Sequence, residues 1–125
     1  MVPSINKIAN CYFYLELYQE AIKWYKKGLN LDRKNKFALN GLGNVYDMLG
    51  DHEKALKHFD EAIKIDKKFS YPYNSLGNFY FKKGEYFAAM KYYEDGIKFS
   101  PENCQIKLNL ARCFMHLRKY SLSFY

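Results

Sequence analysis

The chain has 125 residues, of which 20 are Lys or Arg and 13 are Asp or Glu, and its formal net charge is +7 at pH 7. The length suits one domain, and the sequence has no run of about 18 apolar residues and no cleavable leader pattern, which excludes a membrane-spanning helix and a secretory signal within these residues. The positive charge would suit an acidic partner, a nucleic acid or an anionic membrane surface. Because the lysines are scattered along the chain, nucleic-acid binding through this basic surface is the least favoured of the alternatives, and we expect no membrane binding.

Three cysteines are present, Cys11, Cys104 and Cys113, and an odd number cannot all pair within one chain. No Cys-x-x-Cys motif occurs. This usage predicts a reducing compartment, for which we take the cytoplasm, and cysteines that serve as small buried groups.

Helical patterns fill the chain. Asp32, Asp66 and Ser100 are 34 residues apart and are favourable N-cap residues, so each is predicted to open a helix. Gly50 and Gly84 are predicted to end helices, since glycine accepts the left-handed backbone of a helix stop. The predicted helices span residues 3–15, 18–31, 33–49, 52–65, 67–82, 86–99 and 101–117, and the last residues begin an eighth.

A repeat of 34 residues underlies these helices. Seven positions recur one period later, since Leu42, Gly43, Tyr46, Gly50, Ala55, Phe59 and Ala62 become Leu76, Gly77, Tyr80, Gly84, Ala89, Tyr93 and Gly96. One period earlier they become Ile8, Ala9, Tyr12, Glu16, Ala21, Tyr25 and Gly28, so only the turn glycine is lost. We predict a single domain, residues 1–125, with repeats at 2–35, 36–69 and 70–103 and a partial repeat at 104–125.

Each repeat is predicted to consist of a first and a second helix. On the first helix, Leu39, Leu42, Gly43 and Tyr46 share one face, which must be buried. Glycine in mid-helix costs about 0.8–1 kcal/mol relative to alanine. We therefore expect the second helix to approach closely at Gly43, with Tyr46 filling the space beside it.

The period and the small and aromatic residues at these offsets resemble the tetratricopeptide repeat family, over essentially the whole chain. The resemblance implies an all-α fold, a right-handed α-solenoid of tandem helix-turn-helix repeats whose first helices line a concave groove. It also implies a non-catalytic protein–protein interaction scaffold that binds an extended peptide or a partner helix in that groove.

Asparagines form a ladder on the first helices. They are four residues apart within a helix and 34 apart between repeats: Asn6, Asn10, Asn40, Asn44, Asn74 and Asn78. Asparagine is a poor helix former, so its recurrence at matched positions needs a reason. An amide has one acceptor and two donors, so the ladder would pair with the backbone of an extended peptide.

The segment Leu39-Asn-Gly-Leu-Gly-Asn is similar to the asparagine arrays in the repeat domain of the O-linked N-acetylglucosamine transferases. A different interpretation of the ladder is structural. In that interpretation the asparagines bond between neighbouring first helices and set the superhelical twist.

The same inner-face offsets of the family place further side chains in the groove. They are Phe13, Tyr14, Phe37, Asp47, Met48, Tyr71, Phe81, Lys82, Arg112 and Met115. From this set we assign Phe13, Phe37, Tyr71, Phe81, Lys82 and Arg112 to peptide binding, together with the six asparagines. The alternative for each aromatic residue is ordinary packing between helices.

Chaperone-binding members of the family grip a C-terminal carboxylate with Lys, Arg and Asn side chains. In one register the corresponding residues here are Asn6, Asn10, Gly41, Tyr71 and Ser75, and in the next they are Asn40, Asn44, Ser75, Gln105 and Asn109. Both registers lack the cationic members, so we expect no carboxylate clamp.

Nothing in the sequence predicts catalysis. His52, His58 and His116 have no metal-ligand spacing, and no glycine-rich phosphate loop occurs, so we expect no enzyme activity, no cofactor and no metal. The partial repeat, whose second helix starts near Arg118, supports two alternatives: a regulatory or docking fragment of a larger enzyme, of glycosyltransferase or phosphatase type, and self-association through its open surface.

Overall fold

The computed structural model describes residues 5–123, with side chains as far as residue 118. Every regular element in that range is a helix. The helices are α1 (Ile5–Tyr14), α2 (Tyr18–Leu31), α3 (Lys36–Met48), α4 (His52–Ile65), α5 (Ser70–Lys82), α6 (Tyr86–Phe99) and α7 (Cys104–Ser123). The odd-numbered helices are the first helices of the repeats, and the even-numbered helices are the second helices.

The second helices have the bounds that the sequence predicted. Gly50 and Gly84 precede two of them with φ of 84° and 82°, which confirms the predicted left-handed helix stops. Asp51 caps α4, because its carboxylate accepts the backbone N–H of Lys54 at 3.2 Å. The bounds of the second helices could be predicted because the residues that end one helix and begin the next lie within the short turn between them.

Glu16 occupies the place of the turn glycine in the first repeat. Its φ is 62°, the one positive value outside glycine among the described residues. A side chain in this conformation brings Cβ against the following carbonyl, at a cost of roughly 1–2 kcal/mol. The turn therefore keeps its shape although its residue is unfavourable.

The first helices α3, α5 and α7 begin three residues later than predicted, because Asp32, Asp66 and Ser100 are not N-caps. Each instead ends the preceding second helix by donating its backbone N–H to a carbonyl four residues earlier. Asp66 also pairs with the Lys36 ammonium group, which joins the end of α4 to the start of α3.

The N-caps of α3 and α7 are asparagines. Asn35 accepts the N–H of Ala38 at 3.1 Å, and Asn103 accepts the N–H of Ile106 at 3.2 Å. The carboxylate of Asp32 instead accepts a hydrogen bond from the backbone N–H of Lys34 at 3.0 Å, within the turn between α2 and α3. The sequence offered two favourable caps three residues apart, and the later one opens the helix.

Mid-helix glycines mark the closest approaches between helices. A Cβ on Gly43 would lie 2.4 Å from the ring of Phe59, and one on Gly77 would lie 2.4 Å from the ring of Tyr93. The second helix does approach its first helix here, as predicted. The ring that fills the space belongs to the second helix, however, and not to Tyr46 of the first.

The helices form two compact units, divided between Lys67 and Lys68. In unit 1, α1 packs on α2, α2 on α3 and α3 on α4, and α1 also touches α3. In unit 2, α6 packs on both α5 and α7, and α5 touches α7.

Helix α7 continues to Ser123, so the predicted end at residue 117 is wrong. Arg118 stands where Gly50 and Gly84 turn the chain in the earlier repeats. A residue with a side chain favours continued helix over the left-handed stop.

Candidate peptide-binding surfaces

Each unit presents a surface formed by two neighbouring first helices. In unit 1 it is formed by α1 and α3, and in unit 2 by α5 and α7. We call these the first-helix surfaces. They carry the six ladder asparagines, and hydrogen bonding divides five of these into three groups.

Asn10 and Asn78 are bonded to buried tyrosines. The hydroxyl of Tyr25 donates to Oδ1 of Asn10, and the hydroxyl of Tyr93 donates to Oδ1 of Asn78. Burial, with a smaller contribution from Tyr14, raises the pKa of Tyr25 to about 12. Burial likewise raises the pKa of Tyr93, which leaves both hydroxyls protonated as donors at neutral pH. In each pair the Nδ2 group of the asparagine has no partner among the described residues.

Asn44 occupies the corresponding position in the second repeat, but its partner position holds Phe59. The phenyl ring is fully buried and lies over Gly43 as the Tyr93 ring lies over Gly77. Without a hydroxyl nearby, the half-buried Asn44 amide forms no side-chain hydrogen bond within the described part of the chain. Its acceptor and both of its donors are therefore available.

Asn6 and Asn74 bond to other asparagines. Asn6 and Asn35 exchange two hydrogen bonds, at 3.1 and 3.2 Å, which join α1 to the N-cap of α3. Asn74 accepts from Nδ2 of Asn109 at 2.9 Å, which joins α5 to α7. The contacts of Asn6 and Asn74 agree with the structural interpretation of the ladder, in which asparagines join neighbouring first helices. The sixth ladder residue, Asn40, is half-buried on α3.

Asn35 and Asn109 had no place among the predicted site residues. Both lie outside the 34-residue ladder, so the repeat pattern did not point to them. Asn109 is only 5 % exposed, and Gln105 also donates to its Oδ1, at 3.4 Å. A buried amide needs such partners, because an unsatisfied polar group costs about 1–3 kcal/mol.

The four predicted aromatic residues differ in exposure. Phe37 on α3 and Tyr71 on α5 are about half exposed, at 51 % and 52 %. Phe13 and Phe81 are half-buried against other rings, with Tyr14 5.6 Å from Phe13. Phe81 packs against Tyr86 and His116 in unit 2, at centroid distances of 5.2 and 5.1 Å.

Charge is unevenly placed on the first-helix surfaces. Lys82 at the end of α5 and Arg112 on α7 are exposed, and neither α5 nor α7 contains an Asp or Glu. On unit 1, Asp47 of α3 lies 3.9 Å from a ring nitrogen of His52.

Other groups do not assemble into a second site among the described residues. No group of three or more His, Cys, Asp or Glu side chains could hold a metal ion there. Cys113 is buried, and burial raises the pKa of its thiol. Cys11 and Cys104 are exposed, so the prediction of buried cysteines is wrong for these two. None of the described helices is long and apolar enough to cross a membrane.

Models of known families match most of the chain. One described as tetratricopeptide repeat covers residues 2–68, and a second with the same description covers residues 71–103. The chain belongs to the tetratricopeptide repeat family. Its all-α fold of helix-turn-helix repeats is the α-solenoid class, as the repeat pattern predicted.

Solved tetratricopeptide structures share this fold. The Sgt2 tetratricopeptide domain from Aspergillus fumigatus is 24% identical, with a TM-score of 0.80, and the match covers 94% of this chain and 79% of that chain. The first such domain of Spaghetti (RPAP3), bound to the HSP90 peptide SRMEEVD, is also 24% identical, with a TM-score of 0.76 and coverage of 91% and 90%.

A third match lies within a much longer chain. The structure of Naa15/Naa10 bound to HypK-THB is 22% identical, with a TM-score of 0.85, and the match covers 94% of this chain but 18% of that one. No curated protein sequence matches this chain. At these identities the similarity establishes the fold and does not identify a ligand.

Proposed function

We propose that this tetratricopeptide chain is a non-catalytic scaffold that binds an extended peptide or a partner helix on its first-helix surfaces. The observation that carries the proposal is the unpaired amide of Asn44. No buried side-chain nitrogen or oxygen atom lacks a partner among the described residues, so the unbonded polar atoms of the half-buried Asn44 reach solvent and are accessible to a ligand. A ligand backbone would supply both an acceptor and a donor to it.

Asn10 and Asn78 would assist in a more limited way. Their acceptor oxygens are occupied by tyrosine hydroxyls, but their Nδ2 groups remain available to ligand carbonyls. The bonded state of these asparagines also fixes their orientation, which lowers the entropy lost on binding. Asn6 and Asn74 are assigned mainly to the scaffold, because they bridge first helices.

Side-chain contacts would add selectivity. Phe37 and Tyr71 are the exposed aromatic residues of the predicted set, and each would cover an apolar ligand side chain on its own unit. Backbone bonds of about 0.5–1.5 kcal/mol each leave only modest affinity after the cost of association. We also propose that the ladder acts like the similar asparagine arrays of the O-linked N-acetylglucosamine transferases.

A related domain that holds the HSP90 peptide SRMEEVD supports a peptide ligand in general. It does not support the same peptide, because the clamp positions of this chain lack cationic residues. A cytoplasmic location completes the proposal, based on the odd number of cysteines.

A second candidate is a docking part of a larger assembly. The long chain of the Naa15/Naa10 structure, of which the match covers 18%, favours it. Phe114 is 52 % exposed, although its counterpart Tyr46 is buried, so a further helix from this chain or from another copy would cover it. Sedimentation at rising concentration distinguishes self-association, which increases the mass, from docking to a different partner.

The test is binding of the purified chain to a random peptide array, with two variants compared. Asn44→Ala should lose most of the selective binding while remaining folded by circular dichroism. Asn30→Ala is the matched control, because Asn30 is exposed on the second helix α2. Equal binding by both variants would contradict the role of Asn44, and an array without any binder would contradict the peptide-binding function.

A further inference from the structure

On the first-helix surface of unit 2, the ladder asparagines offer hydrogen-bond donors and no acceptor. The Oδ1 atoms of Asn78 and Asn74 are both occupied, by the Tyr93 hydroxyl and by the amide of Asn109. Their Nδ2 groups have no partner among the described residues. What remains available to a ligand on these amides is therefore their N–H groups.

Positive charge accompanies these donors. Arg112 is exposed on α7 and takes part in no ion pair in the described part of the chain. The bond from Asn109 to Asn74 brings α7 and α5 together, and Arg112 and Asn78 follow these two asparagines by three and four residues. The guanidinium group and the Asn78 amide therefore lie about one helical turn beyond that bond, on neighbouring helices. Burial raises the pKa of the Tyr93 hydroxyl that is bonded to Asn78, and Arg112 opposes this effect in part, which agrees with that placement.

Lys82 extends this neighbourhood along α5. It lies four residues after Asn78, one helical turn away and on the same face. The acidic residues of unit 2 are Glu85, Glu94, Asp95 and Glu102, which lie on α6 or in the turns, and none lies on α5 or α7. These two helices therefore provide no carboxylate to pair with Arg112.

We propose that this surface selects a peptide segment rich in Asp or Glu, whose side-chain carboxylates accept from Arg112 and from the Asn78 amide. The inference rests on the proposed peptide-binding function and adds the chemistry of the partner. A carboxylate accepts up to four hydrogen bonds and donates none, which matches a surface of donors.

A peptide fits the remaining side chains better than a nucleic acid does. Leu108 and Met115 flank Arg112 at four and three residues on α7 and are 51 % and 71 % exposed. Such apolar side chains would contact apolar residues placed between the acidic ones. A nucleic acid would need a longer row of cations along its phosphates than Lys82 and Arg112 provide.

The test uses a short dye-labelled peptide of alternating Glu and Leu with both ends blocked, and its counterpart with Gln for Glu. We expect the Glu peptide to bind roughly tenfold more tightly, since charge-assisted bonds to guanidinium are the stronger kind. Arg112→Gln should remove this preference. Lys107→Gln is the matched control, because Lys107 is exposed on α7 about 140° around the helix from Arg112 and should keep the preference.

Four results would overturn the inference. Three concern the peptides: equal binding of the two peptides, an unchanged preference in Arg112→Gln, and binding of neither peptide. The fourth is displacement of the Glu peptide by a single-stranded oligonucleotide of the same charge, whose own binding weakens more steeply with salt than that of the peptide. If neither peptide binds but array peptides do, the acidic preference fails and the proposed function stands. Lys82→Gln provides a second exposed variant, with a smaller expected loss, should Arg112→Gln not fold.

Discussion

Tyr93 donates its hydroxyl to Asn78, whereas Phe59, in the equivalent position of the preceding repeat, leaves Asn44 without a donor. One hydroxyl thus decides whether the acceptor oxygen of a ladder asparagine is occupied within the protein or is available to a ligand. The first repeat follows the bonded pattern, through Tyr25 and Asn10. The asparagines therefore have different roles although their spacing is regular.

The first prediction separates Asn78 from Asn44 by stability. Asn78→Ala should lower the free energy of unfolding by about 1–3 kcal/mol, because the buried Tyr93 hydroxyl loses its acceptor. Asn44→Ala should change it little, since no bond is removed. Urea denaturation of both variants provides the comparison, and equal losses would show that the Asn44 amide is also structural.

The second prediction builds the missing bond. Phe59→Tyr should place a hydroxyl beside Asn44, because the Phe59 ring lies over Gly43 as Tyr93 lies over Gly77. We expect a gain of about 0.5–1.5 kcal/mol in stability and weaker peptide binding, as the Asn44 acceptor becomes occupied.

A double-mutant cycle with Asn44→Ala isolates this interaction. The gain from Phe59→Tyr should vanish when Asn44 is replaced by alanine. A gain of the same size in both backgrounds would mean that the hydroxyl bonds elsewhere.

The regular spacing between the asparagines and their tyrosine partners is visible in the sequence. Asn10 and Tyr25 are 15 residues apart, as are Asn78 and Tyr93, and the same spacing leads from Asn44 to Phe59. The repeat assignment already placed these residues on facing helices. What the sequence did not reveal is that a side chain on a first helix reaches the hydroxyl of its own second helix.

The helix starts illustrate a different limit. Asp32 and Asn35 are both favourable caps, and the choice between them depends on the turn that joins α2 to α3. In the last repeat, Pro101 after Ser100 suits the first position of a helix, yet α7 begins at Cys104. The predicted repeat boundaries stay predictions, because local patterns do not determine a domain division. The predicted peptide contacts stay predictions as well, because they concern a ligand.

The third prediction concerns the strained turn at Glu16. Glu16→Gly should stabilise the chain by about 1 kcal/mol, because glycine adopts φ of 62° without the Cβ clash. Gly50→Ala should destabilise it by a similar amount through the backbone alone, since a Cβ there would meet nothing within 4 Å. Thermal denaturation measures both changes.

Glu16→Ala is the control for the lost carboxylate. It retains the Cβ and should bring no gain. A gain equal to that of Glu16→Gly would assign the effect to the charge or length of the glutamate instead of to the backbone.

The fourth prediction is a loss of stability at high pH through Tyr25. Its pKa in the folded chain is about 12, above the ordinary value of 10.0, because burial disfavours the charged phenolate. The folded state therefore holds the proton more tightly, and this contribution is fully present below pH 10 and lost between about pH 10 and 12. The free energy of unfolding should fall there by up to about 1.4 kcal/mol per pH unit.

Tyr25→Phe separates this effect from the titration of lysines and other tyrosines. Near pH 8 the variant should be less stable than the parent chain, since the bond to Asn10 is lost. The difference should shrink as the pH rises from 10 to 12, because the variant has no phenol to ionise at this site. Urea denaturation at a series of pH values checks the trend, and a constant difference across the range would show that the Tyr25 proton is not held more tightly in the folded chain.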